Sequence, residues 1–392
     1  MSAKIFLKPD KDKLPKRHHA WIFSGAIGRT EGTPTPGEVV EVRDCTGGFI
    51  AWGHFNPSSQ IRVRLLDWDP NTKIDQEFYR RRLRQAWELR KFWVKETTGL
   101  RVVFSEGDGL PGLILDQYGT IMVLQLLTAG MEALRETWVD ILKSEIPQLT
   151  GIYEKSDGDG RRQEGLMEKT GWLWGQTPGE TWEIVENDLK FNLNLGSQKT
   201  GYYTDQRRNR LRVQSYAGVR QCADVFSFAG GFTCHLLAGG AASVTLCDGS
   251  QDALDLAEKN IKLNGFPPQT MVCGDAFTVL RDWKQSGKKY GLIVLDPPKL
   301  VNSKGGMDKG LKAYKDLNLQ AMLLLETGGI LATFSCSGLV SRQEFIQCIN
   351  YAAKDSGRKV QVLEHLSQGP DHPVLTSHPE GEYLKGLILR VI

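Results

Sequence analysis

Features of membrane-spanning and exported chains are lacking in this sequence. No stretch reaches the roughly 18 consecutive apolar residues that a helix needs to cross a bilayer. Two lysines and Pro9 stand where a secretory signal would continue its apolar segment. We therefore expect a cytoplasmic protein without a membrane partner.

Paired cysteines are lacking too. The chain has seven cysteines, an odd number, and none of them belongs to a Cys-x-x-Cys pair. This argues against a disulfide framework and against a thiolate metal site, so we expect no bound metal. Most of the cysteines are expected to be small buried hydrophobic residues.

Length and charge point to several domains and an anionic partner. A chain of 392 residues is long for one hydrophobic core, so we expect at least two domains. Residues 1–100 carry 18 Lys and Arg against 12 Asp and Glu, with basic clusters at Lys11–Arg17, at Arg62 and Arg64, and at Arg80–Arg84. These clusters favour a polyanion as partner, although an ordinary solvated surface would contain the same residues.

Residues 1–72 are predicted to form a small β-rich barrel or sandwich. Three segments alternate apolar and polar residues between turns: 37–43, 49–55 and 60–66. The pattern then changes to a basic amphipathic helix from about residue 74 to 95. This helix opens a central α+β domain, predicted over residues 73–190.

In residues 191–392, apolar strand-like segments alternate with stretches of helical periodicity. The segments are 223–228, 243–247, 269–273, 292–295 and 329–334. This alternation is typical of a parallel sheet with helices on both faces. The predicted fold class is therefore α/β, with a Rossmann-like C-terminal domain.

The first three of these strands end in residues that suit a nucleoside ligand. The pair Gly230-Gly231 follows the first strand, and a backbone without side chains can pass close to a ligand. Its spacing is not G-x-G-x-x-G, which disfavours a nicotinamide dinucleotide. Asp248 and Asp275 end the next strands, where they could accept hydrogen bonds from ribose hydroxyls and from an adenine amino group, or simply cap the strand ends.

The fourth and fifth strands end in residues that can do chemistry. The prolines of Asp296–Lys299, Asp-Pro-Pro-Lys, would hold the carboxylate at the mouth of the sheet, where it can grip a planar base edge. Cys336 stands between Ser335 and Ser337 and is expected to face the same crevice. The alternatives are a proline-stiffened loop and a buried, inert cysteine.

In combination, these motifs resemble the ribosomal RNA large subunit methyltransferase I family, which makes 5-methylcytosine from S-adenosylmethionine. The further strings that carry the resemblance are Arg17–Gly25, Gln198–Arg207, Tyr314–Asn318, Thr333–Gly338, Asp371–Pro373 and Tyr383–Gly386. The likeness runs over nearly the whole chain, and its motifs are specific as a set.

The resemblance implies an N-terminal PUA domain, a central α+β domain and a class I methyltransferase domain that binds S-adenosylmethionine. Large-subunit ribosomal RNA is the implied partner, and a homodimer is left open. The expected cofactor contacts are Gln206, Arg207, Phe228, Gly230, Asp248, Asp275, Ala276 and Asp296. The expected RNA contacts are Pro297, Lys299, Arg17, Arg62 and Arg64.

The implied chemistry is covalent. Because C5 of cytosine is a weak nucleophile, the Cys336 thiolate is expected to add to C6 while Asp296 holds the N3 and amino edge. Two-cysteine RNA cytosine methyltransferases carry a second cysteine beside the proline motif, and Lys299 stands there instead, so the base that removes the C5 proton is unassigned. Two alternatives stay open: an amino-group methyltransferase acting on adenine or guanine, and a non-catalytic RNA-binding assembly factor.

Overall fold

The computed structural model describes residues 2–175, 182–194 and 201–392, so the string Gln198–Thr200 lies outside the described residues. The chain divides into two compact units. Unit 1 comprises Met1–Ile184, Leu193–Thr204 and Pro370–Gly381, and unit 2 comprises Val185–Asn192, Asp205–Gly369 and Glu382–Ile392. In the described parts of both units, no helix is long and apolar enough to span a membrane. The predicted domain boundaries near residues 72 and 190 stay predictions.

Unit 1 begins with a six-stranded sheet in the order β2-β6-β5-β4-β1-β3. Its elements are β1 (Lys4–Leu7), α1 (Lys13–Lys16), β2 (Trp21–Phe23), β3 (Ile27–Glu31), β4 (Val39–Arg43), β5 (Phe49–Phe55) and β6 (Ile61–Asp67). Alternate residues such as Val40, Val42 and Val63 are buried and form its core. The predicted strands correspond to β4, β5 and β6, whereas β1 to β3 were not predicted.

A second sheet of unit 1 has five strands in the order β11-β10-β9-β8-β7. The elements are α2 (Gln76–Trp93), β7 (Gly99–Phe104), β8 (Leu113–Tyr118), β9 (Ile121–Leu126), α3 (Ala129–Ala133), α4 (Arg135–Glu145), β10 (Gly151–Ser156), α5 (Asp159–Gln163) and β11 (Lys169–Gly175). The carboxylate of Asp75 caps α2 by accepting a hydrogen bond from the Phe78 amide at 3.1 Å. Phe78 and Leu83 of this predicted helix pack into the core with Trp138 of α4.

Unit 2 is built on a seven-stranded sheet in the order β16-β15-β14-β17-β18-β20-β19. Of the hairpin of β12 (Trp182–Glu186) and β13 (Leu189–Leu193), Val185–Asn192 belong to this unit. The helices and strands that follow are α6 (Arg207–Gln214), β14 (Gln221–Val225), α7 (Gly231–Ala238), β15 (Ser243–Asp248), α8 (Gln251–Leu263), β16 (Thr270–Cys273), α9 (Ala276–Gln285), β17 (Tyr290–Leu295), α10 (Met307–Leu324), β18 (Leu325–Ser335), α11 (Arg342–Ser356), β19 (Val360–Ser367) and β20 (Lys385–Val391). The fully buried strand β17 lies at the centre of the sheet.

The five predicted strands of this sheet, β14 to β18, are present and parallel. The sheet also contains β19 and β20, which were not predicted, and β20 runs antiparallel to both β18 and β19. The order reverses between the neighbours β14 and β17. Such a reversal opens a crevice at the carboxyl ends of the strands, which is where ligands bind in open α/β sheets.

Gly230 is needed for helix packing at the end of the loop after β14. Its φ is +74°, and a Cβ added there would lie 3.0 Å from the Cβ of Ala257 in α8. The sequence suggested that this glycine makes room for a ligand. The structure gives a packing reason, because α8 takes the space that a Cβ would need, and the contact of Gly230 with a cofactor stays a prediction.

We expect Gly230→Ala to destabilise the protein more than Gly265→Ala does. Gly265 has a matching φ of +73°, but an added Cβ would meet nothing within 4 Å. The Gly265 variant should therefore be destabilised only by the backbone strain that the new Cβ introduces, by about 1 kcal/mol. The Gly230 variant should lose about 1 to 3 kcal/mol more through overpacking. Urea unfolding of both variants measures the difference, and equal losses would show that the α8 contact is unimportant.

Candidate active site

Asp296 and Cys336 lie at the same edge of the unit 2 sheet. Asp296 follows β17 and Cys336 follows its parallel neighbour β18. The Cys336 sulfur lies 3.8 Å from the carbonyl oxygen of Pro297. Cys336 is also partly exposed. Of the other cysteines of unit 2, Cys273 is exposed, and the buried ones are Cys222, Cys234, Cys247 and Cys348. The two loops that the sequence singled out are therefore in contact.

The Asp296 carboxylate is held by a short chain of amide side chains. Gln206 Nε2 donates to Asp296 Oδ1 at 2.9 Å, and Asn209 Nδ2 donates to Gln206 Oε1 at 2.6 Å. The Tyr383 hydroxyl donates a hydrogen bond to Asp205 Oδ2 at 2.5 Å. This bond anchors the residue that precedes Gln206. Gln206, predicted as a cofactor contact, is buried here and orients Asp296.

A buried hydroxyl pair joins the Cys336 loop to the Asp296 loop. Ser337 Oγ accepts a hydrogen bond from the amide of Val301 at 3.1 Å and lies 3.0 Å from the hydroxyl of Tyr314 in α10. Both Ser337 and Tyr314 are completely buried. Bonds between buried polar groups are costly to leave unmade, so this pair fixes the relative position of the two loops.

Asp248 holds the loop after β14 in place. Its Oδ2 accepts a hydrogen bond from the Phe228 amide and its Oδ1 from the Ser250 amide, both at 2.9 Å. Phe226 and Phe228 have φ values of +66° and +46°, a conformation that is uncommon for residues other than glycine. Strained backbone of this kind is concentrated at functional sites.

Strand β14 and the loop after it leave buried polar atoms for a ligand. Ser227 Oγ is buried and has no hydrogen-bond partner in the described part of the chain, and the same holds for Asp224 Oδ1. Native proteins rarely leave such atoms unsatisfied. With the half-buried carboxylate of Asp248 at the next strand end, these donors and acceptors fit the sugar of a nucleoside cofactor.

Asp224 is a buried carboxyl in strand β14, next to the central strand β17. Burial raises its pKa to about 7, although Thr233, which donates to its Oδ2 at 2.7 Å, acts in the opposite direction. The nearby charge of Asp248 also raises the pKa. The carboxyl of Asp224 is therefore partly protonated near neutral pH.

Arg207 belongs to a buried ionic cluster around Glu186. Glu186 accepts two hydrogen bonds from Arg210, at 2.7 and 2.8 Å, and lies 3.5 Å from Arg207 and 3.3 Å from His235. Burial alone would raise the pKa of Glu186, but Arg210, His235 and Arg207 outweigh it and lower the pKa. The cluster ties α6 to the β12–β13 hairpin, so Arg207 has a structural partner, and its cofactor contact stays a prediction.

Two further cofactor contacts need correction in their detail. Asp275 Oδ2 accepts hydrogen bonds from the amide and the hydroxyl of Thr278, both at 3.0 Å, so the carboxylate caps α9 and its cofactor contact stays a prediction. The side chain of Ala276 is buried in the core of unit 2. Only its backbone can therefore face a cofactor.

The predicted RNA contacts differ in exposure. In unit 2, Pro297 is buried and Lys299 is exposed. In unit 1, Arg17 is exposed and Arg62 is partly buried. The Arg64 guanidinium contacts two carboxylates.

Arg64 is fixed inside unit 1. Its NH1 donates to Glu106 and its NH2 to Glu164, each at 3.0 Å, and only 14% of its side chain is exposed. Trp21 adds a hydrogen bond to Glu106 at 2.7 Å. The expectation that Arg64 binds phosphate is therefore corrected, because both carboxylates compete for its donors.

Sequence reasoning missed several residues that position the site. Asn209, Tyr314, Ser337 and Asp224 were given no role, although the last three lie in strings that had been noted. An acidic side chain within an apolar strand was the signal that could have identified Asp224. A hydroxyl side chain next to a candidate nucleophile was the signal that could have identified Ser337. Asn209 had no such signal, because its contact with Gln206 depends on the turn of α6.

Two protein families match parts of the chain. The model of a PUA-like domain matches residues 5–68, and that of an S-adenosylmethionine-dependent methyltransferase matches residues 149–389. Fold, site and these matches define a class I methyltransferase that uses S-adenosylmethionine and carries an N-terminal PUA-like domain.

Curated relatives match over their full length. The chain is 42% identical over 395 residues to the ribosomal RNA large subunit methyltransferase I of Aeromonas salmonicida and 40% identical over 398 residues to that of Escherichia coli O139:H28, with 100% of each protein covered. The chain belongs to the ribosomal RNA large subunit methyltransferase I family.

Solved structures with low sequence identity share the fold. A proposed SAM-dependent methyltransferase from Streptococcus mutans superimposes with a TM-score of 0.85 at 20% identity, over 100% of both chains. A proposed methyltransferase complexed with SAH does so with a TM-score of 0.86, also at 20% identity and over 100% of both chains. At this identity, the likeness shows the fold alone.

We expect Asp224→Asn to remove a pH-dependent loss of stability. The pKa of about 7 in the folded protein lies above the ordinary aspartate value of 3.8. The stabilising effect of the neutral carboxyl is therefore complete below about pH 4 and is lost as the pH rises to about 7. Relative to the unchanged protein, the variant should gain on the order of a few kcal/mol between pH 4 and pH 8.

Urea unfolding without S-adenosylmethionine at pH 4, 6 and 8 tests this expectation. Asp255→Asn is the matched control, because Asp255 is an exposed carboxylate on α8 of the same unit. Its substitution should change the pH dependence little. If Asp224→Asn and the unchanged protein lost stability in parallel, the protonation assigned to Asp224 would be wrong.

Proposed function

We propose that this protein methylates C5 of a cytosine in large-subunit ribosomal RNA, with Cys336 as the nucleophile. The observation that carries the proposal is the contact of the partly exposed Cys336 with the Asp296–Pro297 loop, 3.8 Å from sulfur to carbonyl oxygen. The family name supports ribosomal RNA of the large subunit as substrate. The PUA-like domain supports RNA as the partner.

S-adenosylmethionine, when bound, supplies an electrophilic methyl group. The residues that would hold it are Asp248, the loop of Ser227 and Phe228, and the backbone at Asp275. Cys336, as thiolate, would form a bond from Sγ to C6 of cytosine, and the C5–C6 electron pair would shift so that C5 becomes nucleophilic. After C5 accepts the methyl group, loss of the C5 proton to a base would restore the C5–C6 double bond and expel the thiolate.

Asp296 would orient the base and offset the charge that develops during addition. Because Gln206 and Asn209 hold its carboxylate at the end of β17, no reorganisation is needed when the ring accepts negative charge. Asp296 would hydrogen-bond the amino group and share a proton with N3. A target base in paired RNA would first have to be flipped out, at a cost of a few kcal/mol.

An amino-group methyltransferase is the first alternative. Such enzymes usually place an aromatic residue after the prolines to stack the base, and the exposed Lys299 occupies that position. They also need no thiol, whereas Cys336 is held at the same edge as Asp296. The second alternative, a non-catalytic assembly factor, would be favoured by a failure to bind S-adenosylmethionine in calorimetry. A cytoplasmic location and a homodimer stay predictions.

Substitution of Cys336 by alanine should reduce methylation of large-subunit ribosomal RNA by at least about a thousandfold, because removing a nucleophile leaves only binding and orientation. Transfer of a labelled methyl group measures the rate, and bisulfite sequencing of the RNA locates the product. Cys45→Ala is the matched control, since Cys45 is an exposed cysteine of unit 1. Undiminished methylation by the Cys336→Ala protein would exclude the covalent mechanism.

Arg17→Ala should weaken RNA binding in a salt-dependent manner. Loss of one phosphate contact lowers the slope of log affinity against log salt by about one. Arg64→Ala should leave the slope unchanged and lower stability instead, because it leaves Glu106 and Glu164 without their common partner. Filter binding at several salt concentrations and urea unfolding separate the two effects. An altered slope for Arg64→Ala alone would reverse the assignment.

A further inference from the structure

Lys385 is buried beside the proposed nucleophile. It is the first residue of β20, is 3% exposed and pairs in register with Ser335 of β18. Its Nζ donates hydrogen bonds to the carbonyl oxygens of Ser337 at 2.7 Å and of Tyr383 at 2.8 Å. Lys385 is thus hydrogen-bonded to the residue that follows Cys336 and lies in register with the residue that precedes it.

The ammonium group of Lys385 has an unusual environment for a buried lysine. Within the described part of the chain, it has no carboxylate within 4.0 Å, and buried charges are normally paired. Two of its three protons are used by carbonyl oxygens, which leaves one donor. Burial lowers the pKa of Lys385 to about 8, and the charge of Cys336 is the foremost influence in the opposite direction. The group is therefore still mainly cationic at neutral pH.

Other ionisable groups near Lys385 come from each neighbouring element. Glu382 precedes β20, and Arg342 and Glu344 belong to α11; the two acidic groups favour the ammonium and Arg342 disfavours it. Tyr314 belongs to α10. Burial is the main cause that raises the pKa of its hydroxyl, and the charge of Cys336 raises it as well. Tyr314 is therefore neutral near pH 7. Lys385 is therefore a cation whose hydrogen bond to the Ser337 carbonyl holds it at the residue that follows Cys336.

We propose that Lys385 is a positioning residue that holds Cys336 as a thiolate ready to attack. This inference rests on the proposed function of Cys336. A cation beside a thiol favours the thiolate, which is the form that acts as a nucleophile. The hydrogen bonds to the two carbonyl oxygens fix the ammonium group relative to the loop after β18. The position of the positive charge relative to the Cys336 sulfur is thereby fixed as well.

The test is the pH dependence of Cys336 alkylation by iodoacetamide in the full chain without RNA. Mass spectrometry follows the peptide of each cysteine between pH 5.5 and 10. The exposed Cys45 and Cys273 are internal references. The variants are Lys385→Met and Lys385→Arg. Lys289→Met is the matched control, because the ammonium of Lys289 also donates to a carbonyl oxygen, that of Leu323 at 2.8 Å, without contacting Cys336.

Lys385→Met should raise the midpoint pH of Cys336 alkylation by about one unit and slow it roughly tenfold at pH 7. Lys385→Arg should retain most of the unchanged protein's rate, and Lys289→Met should match it throughout. The rates of Cys45 and Cys273 should stay the same in all variants. An unaltered Cys336 profile in a folded Lys385→Met protein would overturn the proposal.

A failure of Lys385→Met to fold would be seen as rapid alkylation of the buried Cys222 and Cys348. The unchanged protein then decides: a Cys336 midpoint clearly below the ordinary thiol value of about 8.5 supports the proposal, and one at or above it overturns the proposal. This readout is independent of methyl transfer. Failure of the covalent mechanism would be seen in the Cys336→Ala methylation assay, whereas failure of the Lys385 role would be seen only in the thiol profile.

Discussion

The register of five parallel strands is the constraint on which the site depends. Main-chain hydrogen bonds align β14 to β18 so that their carboxyl ends meet at one edge, and the reversal of order between β14 and β17 opens that edge. Asp248, Asp296 and Cys336 lie at this edge because Asp248 is the last residue of one of these strands and the other two each follow one. A shift of one residue would turn each of these side chains to the opposite face of the sheet. The chemistry is thus set by backbone pairing before any side chain makes a contact.

Buried polar groups then hold the loops at this edge. Ser337 joins the Cys336 loop to Val301, and Gln206 joins the segment before α6 to Asp296. Each such group would be costly to bury without its partner, so the loops are fixed by groups that must be satisfied. The same principle accounts for Asp224, whose burial is only partly offset by Thr233. The buried hydrogen bonds that stabilise the loops at this edge are therefore the same ones that position Cys336 and Asp296.

Much of this arrangement could be predicted from the sequence, because strand ends are local signals. Asp296 and Cys336 each follow an apolar run, and parallel strands carry their ends to one edge, so their proximity followed from the pattern. The antiparallel β20 was missed, since its apolar residues do not distinguish direction. The contacts of Gln206 and the internal pairing of Arg64 could not be predicted, because they join residues 90, 42 and 100 positions apart. Such pairs depend on packing between elements, which a local pattern does not contain.

The most direct test of the account is to trap the bond between Cys336 and the base. RNA that contains 5-fluorocytosine offers a C5 position from which no proton can be lost after methylation, so the C6–sulfur bond should persist. The account predicts a protein–RNA adduct that survives denaturing electrophoresis, requires S-adenosylmethionine and maps to the peptide of Cys336 in mass spectrometry. Methylation of ordinary RNA without any such adduct, or an adduct at another residue, would contradict it.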